Sequence, residues 1–168
     1  MAKTNTIVIA DAGPIIHLDE LDSLALLAGF EKVIIPETVC HEVQQHRPFA
    51  LSHPKIKFIR QRADSFSAQV NALIPIYTLH SGEQEALHLC CEVSNSLLLT
   101  DDTAARLAAK SLNIAVHGTL GVLLRAIRQQ LLSKSQVIDL LQSIPSQTTL
   151  HIRPSLLQEV IAEVIKMK

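Results

Sequence analysis

The sequence predicts an α/β fold with three layers, in which helices cover both faces of a central parallel sheet. Short apolar runs that are typical of buried strands alternate along the chain with longer helical patterns. Helices between successive strands favour right-handed βαβ connections, and such connections make neighbouring strands parallel. No repeat or long linker interrupts the alternation. We therefore expect one sheet with its functional residues at the carboxyl ends of the strands.

The elements follow from apolar runs and from their flanking residues. Strands are predicted where β-branched or Leu-rich runs are bounded by turn residues, at 6–10, 32–35, 97–100 and 114–116, with a weaker run at 56–59. Helical patterns lie between them, at 15–19, 23–28, 37–45, 65–73, 82–93, 103–112 and 120–132. Ser81 and Gln84 have the spacing of a capping box, Pro36 opens one helix, and Gly29 follows another.

The last part of the chain predicts two further helices. From Ser135 an amphipathic pattern is followed by a polar link at 146–149 and by a final helix with an apolar stripe. Such a stripe is typical of core packing, and a subunit interface is the alternative. We predict a single domain over residues 1–168, with the helical segment 135–168 packed on it.

Composition limits the class of protein. The chain has 168 residues, of which 48% are hydrophobic, enough to bury roughly 70% of the unfolded surface. Fifteen Lys and Arg against sixteen Asp and Glu give a formal charge of −1, which neither indicates nor excludes a nucleic-acid partner. Cys40, Cys90 and Cys91 lack metal-ligand spacing and are typical of a reducing compartment. Without an apolar run of ~20 residues or a signal-peptide core, we expect a soluble, cytoplasmic protein.

Acidic residues follow two of the predicted strands. Asp11 ends the first strand, and Asp101 and Asp102 follow the run at 97–100, while Glu42 and Glu83 belong to helices beside the sheet. Because the carboxyl ends of parallel strands share one edge, these carboxylates are expected to converge. Oxygen ligands of this kind suit Mg²⁺ or Mn²⁺ and not zinc. The alternative for each residue alone is a helix cap.

Several segments together resemble a known family. The segments on which the resemblance rests are Ile-Ala-Asp-Ala-Gly-Pro-Ile at 9–15, the stretch 33–42, His-Ser-Gly-Glu-Gln-Glu-Ala at 80–86, Leu-Leu-Thr-Asp-Asp at 98–102 with Arg106 and Ala109, and the stretch 116–123. In this order they resemble the PIN domain, in the branch with a Gly-Glu-x-Glu-Ala motif. The resemblance implies a PIN-like fold and a ribonuclease of toxin–antitoxin pairs, in which a metal-activated water cuts RNA. It also implies an antitoxin partner and a homodimer.

The resemblance assigns roles to the acidic positions. Asp11, Glu42 and Glu83 match the first three catalytic and metal-binding acids of the family, and either Asp101 or Asp102 matches the fourth. Glu85, two residues after Glu83, is expected on the other side of its helix, facing solvent or a basic neighbour.

Two further residues are candidates for supporting the acids. Thr100 is expected to bond a carboxylate or a metal-bound water, or else to be a buried structural threonine. Arg106 is expected to orient Asp102 or to form an ordinary pair along its helix.

Basic residues are segregated along the chain. No acid occurs between Glu42 and Asp64, where five cations are candidates for contacts with RNA phosphates, namely Arg47, Lys55, Lys57, Arg60 and Arg62. A solvated face is the alternative for this stretch.

Two other functions compete with the nuclease. A phosphoacceptor receiver domain also gathers aspartates around Mg²⁺, but Asp11 stands alone after the first strand and His117 follows the last. A PIN-like module that binds proteins without turnover is the stronger rival. Loss of RNA cleavage in a single carboxylate variant would separate it from the nuclease.

Overall fold

The computed structural model describes residues 4–167 and shows helices alternating with strands. The strands are β1 Thr4–Ala10, β2 Phe30–Pro36, β3 Phe58–Gln61, β4 Ser96–Leu99 and β5 Ala115–His117. The α-helices are α1 Ala12–Glu20, α2 Glu37–His46, α3 Ala68–Tyr77, α4 Ser81–Glu92, α5 Thr103–Ser111, α6 Thr119–Arg128, α7 Lys134–Gln147 and α8 Pro154–Lys166. Two 3-10 helices cover Leu24–Gly29 and Ala50–Ser52.

The strands form one parallel sheet in the order β3-β2-β1-β4-β5. The chain moves outward from β1 through β2 to β3, and then returns to the other side of β1 with β4 and β5. The order therefore reverses between β1 and β4, and the crevice outside the carboxyl ends of these strands is where open α/β sheets bind ligands.

Alternate residues of the strands enter two separate cores, as the pleat requires. Val8 and Leu99 belong to the core that includes residues of α1, α2, α6, α7 and α8. Ile9 and Leu98 belong to the opposite core, together with residues of α3, α4 and α5. Helices thus cover both faces, which confirms the predicted three-layer α/β/α class.

The C-terminal helices contribute to the first of these cores. Val137, Leu141 and Ile144 of α7 are fully buried in it, and so is Val164 of α8. For these residues the apolar stripe is core packing, whereas Ile165 on the same helix is exposed.

Element boundaries differ from the prediction in places where local bonds decide them. The weak third strand begins two residues late, because the Ile56 amide bonds His53 O in a turn before it. The predicted helix at 23–28 is a 3-10 helix. Helix α4 is capped by His80 and not Ser81, because the Glu83 carboxylate accepts the His80 amide at 2.7 Å.

Within residues 4–167, every helix falls short of the length and apolar character that crossing a lipid bilayer requires.

Candidate active site

The carboxyl ends of β1 and β4 open into a cleft of about 510 Å³. Five acidic residues line it, namely Asp11, Glu42, Glu83, Asp101 and Asp102. The structure therefore brings together all five acids that the sequence singled out, at the point where the strand order reverses.

Asp11 lies at the bottom of the cleft, with only 9% of its surface exposed. Its Oδ1 accepts the Ala12 amide at 2.8 Å, and its Oδ2 accepts the Thr100 hydroxyl at 2.8 Å. Burial, with a smaller contribution from the charges of Glu83 and Glu42, outweighs these two bonds and raises the pKa of Asp11 from 3.8 to about 6. Asp11 is therefore a carboxylate that a bound cation would stabilise in its ionised form.

Gly82 lets helix α4 pack closely on Val39 of α2, beside two of the acids. A methyl group on Gly82 would lie 3.2 Å from Val39 Cγ2, 3.8 Å from Asp11 Oδ1 and 3.9 Å from Glu42 Oε2. Asp11 and Glu42 thus border one point above the glycine. Glu42 is exposed on α2, so its carboxylate lies at the rim.

Glu83 and Asp102 lie at the N-termini of two different helices, α4 and α5. The side chain of Glu83 is 11% exposed and accepts the amide of His80, the residue that caps α4, while Asp102 Oδ1 caps α5 by accepting the Ala105 amide at 2.8 Å. Burial raises the pKa of Glu83, and the charge of Asp102 raises it further, although bonds from His80 lower it. These two carboxylates are therefore electrostatic neighbours across the cleft.

Asp101 has a different environment. Its Oδ1 accepts the Thr119 amide at 2.7 Å, and its Oδ2 bonds the Thr119 hydroxyl at 2.6 Å and His17 Nδ1 at 2.8 Å. A methyl group on Gly118 would lie 2.4 Å from Asp101 Oδ1, so only glycine fits there. Asp101 thereby ties β4 to α1 and to the start of α6.

The supporting residues take contacts that spacing alone does not specify. Thr100, besides its bond to Asp11, accepts the Asp102 amide at 3.1 Å, so it connects two of the acids. Arg106 donates to the Thr100 carbonyl at 3.1 Å rather than to Asp102. Glu85, which was expected to face solvent or a basic neighbour, instead accepts the Thr38 amide at 3.1 Å and the Thr38 hydroxyl at 2.6 Å.

The structure does not gather the five predicted RNA-binding cations on one face. Arg47 pairs with Asp19 of α1 at 2.5 Å. Lys55 and Lys57 precede β3 and lie toward the amino-terminal edge of the sheet, away from the cleft. Arg60 and Arg62 lie at the carboxyl-terminal end of β3, on the edge that holds the acids.

Besides two glycines and His80, all within the motifs quoted above, the cleft is lined by three residues that were not singled out from the sequence, namely His17, Leu150 and His151. His17 of α1 bonds Asp101, and His80 lies beside Glu83. Leu150 and His151 come from the link between α7 and α8. No local pattern marks His17, Leu150 or His151, because their place depends on how distant elements pack.

The donor chemistry of the cleft fits a hard divalent cation. Its acidic groups offer carboxylate oxygens, and burial, with a smaller contribution from neighbouring charges, raises the pKa of two of them, Asp11 and Glu83. Within residues 4–167, no three Asp, Glu, His or Cys side chains are already arranged around one ion position.

Comparison with known families gives a match over nearly the whole chain. A family model described as a PIN domain matches residues 7–166, nearly the whole chain. No curated protein matches the sequence.

Proposed function

Because the chain belongs to the PIN domain family, whose fold is of the nuclease type, we propose that it is a ribonuclease dependent on Mg²⁺ or Mn²⁺. It would hydrolyse phosphodiester bonds of RNA. The observation that supports this most is the convergence of carboxylates at the β1–β4 crevice, two of which have raised pKa values.

Four of the five acids are suited to hold the cation, namely Asp11, Glu42, Glu83 and Asp102. Asp102 is preferred to Asp101 as the fourth acid, since Asp101 already makes three bonds, to the Thr119 amide, the Thr119 hydroxyl and His17, whereas Asp102 accepts the Ala105 amide through one oxygen. A divalent ion held there would lower the pKa of a water molecule bound to it and neutralise charge on the phosphodiester.

The chain itself would position these groups. Thr100 holds one oxygen of Asp11 and the amide of Asp102, so both acids keep a fixed spacing. Arg106 fixes the Thr100 carbonyl at the end of β4. Asp101 braces α6 and α1 around the same strand end and acts as a positioning residue.

The finer parts of the proposal rest on the motif at 80–86 and the order of the other motifs. They are the role of toxin in a toxin–antitoxin pair, an antitoxin protein as partner and a homodimer. A cytoplasmic location is proposed instead from the free cysteines Cys40, Cys90 and Cys91, which are typical of a reducing compartment. A small neighbouring reading frame encoding a DNA-binding protein would favour the toxin role.

A matched pair of variants on α4 tests the proposal. Glu83→Gln should lower Mn²⁺-dependent cleavage of a mixture of RNAs by at least about 100-fold, the scale for removing one electrostatic stabiliser. Glu85→Gln, the same change two residues along, should keep cleavage and cost about 1 kcal/mol of stability through its bonds to Thr38.

The assay is gel analysis of RNA products, with circular dichroism as the control for folding. Equal cleavage by wild type and Glu83→Gln would remove Glu83 from the site. Absence of cleavage by folded wild type with either metal would support the non-catalytic, protein-binding module instead.

A further inference from the structure

A second cavity of about 410 Å³ adjoins the acidic cleft. One wall is formed by the first turns of α5 and α6, and the other by the link between α7 and α8. Asp101, Leu150 and His151 line both cavities, so the two lie side by side. We call this second cavity the flanking groove and define it by Arg106, His117, Leu150, His151, Arg153 and Leu156.

The flanking groove is cationic where the cleft is anionic. Arg106 and Arg153 line it, together with His117. Burial lowers the pKa of His117, and the positive charges of Arg128, Arg106 and Arg125 lower it further. Among residues 4–167, Asp101 is the single carboxylate in its lining, and that side chain is already bonded to Thr119 and His17.

Arg153 is available for a ligand. It is exposed, and no carboxylate within the described residues 4–167 pairs with it. Its backbone caps α8, where its carbonyl accepts the Leu157 amide at 3.1 Å. The position of Arg153 is therefore fixed by a helix whose Leu157 is buried in the core.

The link that carries His151 is also held in place. Thr149 donates its amide to Glu20 Oε2 of α1 at 2.9 Å, and its hydroxyl reaches the same carboxylate at 3.2 Å. The Leu150 amide donates to the Thr148 hydroxyl at 3.2 Å. The groove is thus formed before a ligand arrives, which lowers the cost of binding.

We propose that the flanking groove binds the nucleotides next to the scissile phosphodiester of a single-stranded RNA. This inference rests on the proposed function, and adds to it a place and a chemistry for the substrate. Arg153 and Arg106 would contact backbone phosphates, and Leu150 and Leu156 would pack against a base.

Size and surface favour a single strand over a duplex. A cavity of this volume is typical of sites for small ligands, which suits one or two nucleotides and not a double helix. Single-stranded RNA can also turn its unstacked bases toward apolar side chains, while its backbone follows cations. Leu156 is 37% exposed, which leaves apolar surface for such a contact.

Binding of a short labelled single-stranded RNA, measured by fluorescence anisotropy against salt concentration in Mg²⁺, tests the inference. All proteins would carry Asp11→Asn so that the RNA stays intact. Adding Arg153→Gln should weaken binding and reduce the slope of log K against log salt by roughly 0.7, the value for one phosphate contact on a single strand. Arg153→Lys should restore much of that slope.

Lys32→Gln is the matched control, because this exposed cation lies in the amino-terminal half of β2, away from the groove. An unchanged slope in Arg153→Gln would overturn the inference, and so would equal competition by a duplex of the same sequence or no RNA binding at all. Cleavage assays test the ribonuclease proposal separately. RNA binding that depends on Arg153, without cleavage by the wild type, would support the groove as an RNA-binding site and contradict the ribonuclease activity.

Discussion

At the scale of single residues, Asp11 combines opposing energies. Its two hydrogen bonds favour the ionised carboxylate, but burial and the neighbouring charges of Glu83 and Glu42 disfavour it more strongly. The net result is a folded-state pKa of about 6 against an ordinary 3.8. In the absence of metal, the ionised side chain therefore destabilises the fold.

The pH dependence follows from the sign of this shift. A carboxyl whose pKa is raised on folding does not affect the free energy of unfolding below about pH 4, where it is protonated in both states. As the pH rises from about 4 to 6 the protein loses stability, and the loss remains constant at higher pH. The difference corresponds to about 3 kcal/mol. In chelator, Asp11→Asn should therefore be more stable than wild type above pH 6, by about 2 kcal/mol once a weakened hydrogen bond is allowed for.

Urea denaturation at several pH values measures this difference. Asp139→Asn, an exposed carboxylate of α7, is the control and should track wild type throughout. If the gap between Asp11→Asn and wild type did not widen between about pH 4 and 6, the buried carboxyl would have an ordinary pKa.

At the scale of elements, local patterns predicted what local forces decide. Strand β1 and helix α5 fall close to their predicted positions because apolar runs and the Asp102 cap act within a few residues. The sequence also predicted which five acids converge, since parallel strands share one carboxyl edge. The roles of Asp101 and Asp102 could not be separated, because His17 reaches Asp101 across 84 positions of the chain.

The same distinction explains the basic residues. A stretch without acids looks continuous in sequence, but β3 carries its two ends to opposite edges of the sheet. A strand of four residues spans about 13 Å. The link that carries His151 and Arg153 reaches the site from the far end of the chain, and no spacing rule predicts that approach.

Strand β3 therefore provides an internal comparison. If RNA follows the carboxyl edge of the sheet, Arg60→Gln with Arg62→Gln should reduce the salt slope by about 1.4, or two phosphate contacts. Lys55→Gln with Lys57→Gln removes the same charge before the strand and should leave the slope near wild type.

Both double variants would be measured by the anisotropy titration in the Asp11→Asn background. A fall in slope only for the Lys pair would place the RNA path on the opposite edge. Equal falls in both pairs would indicate diffuse attraction to net charge rather than a path.

At the scale of the whole molecule, the acidic cleft lies between two sources of positive charge. Arg60 and Arg62 lie on the β3 side of the sheet edge, and Arg106 and Arg153 on the β5 side. The formal charge of −1 does not reveal this arrangement, because positive and negative residues are nearly equal in number but lie in different places. A polyanion would be attracted at the flanks, while a bound cation would offset the repulsion among the crowded carboxylates at the centre.

Metal binding should consequently stabilise the entire fold, since the unfolded chain has no converged carboxylates. Mn²⁺ at 100 times its dissociation constant adds about 2.7 kcal/mol, which for a chain of 168 residues raises the melting temperature by roughly 5–10 °C. Asp11→Asn and Glu83→Gln should each lose most of this gain, while Asp139→Asn should keep it. Thermal melts with and without Mn²⁺, beside a calorimetric titration, measure both quantities. A gain that survives in Asp11→Asn would place the ion elsewhere, and no heat at millimolar Mn²⁺ would mean that the five carboxylates do not form a cation site.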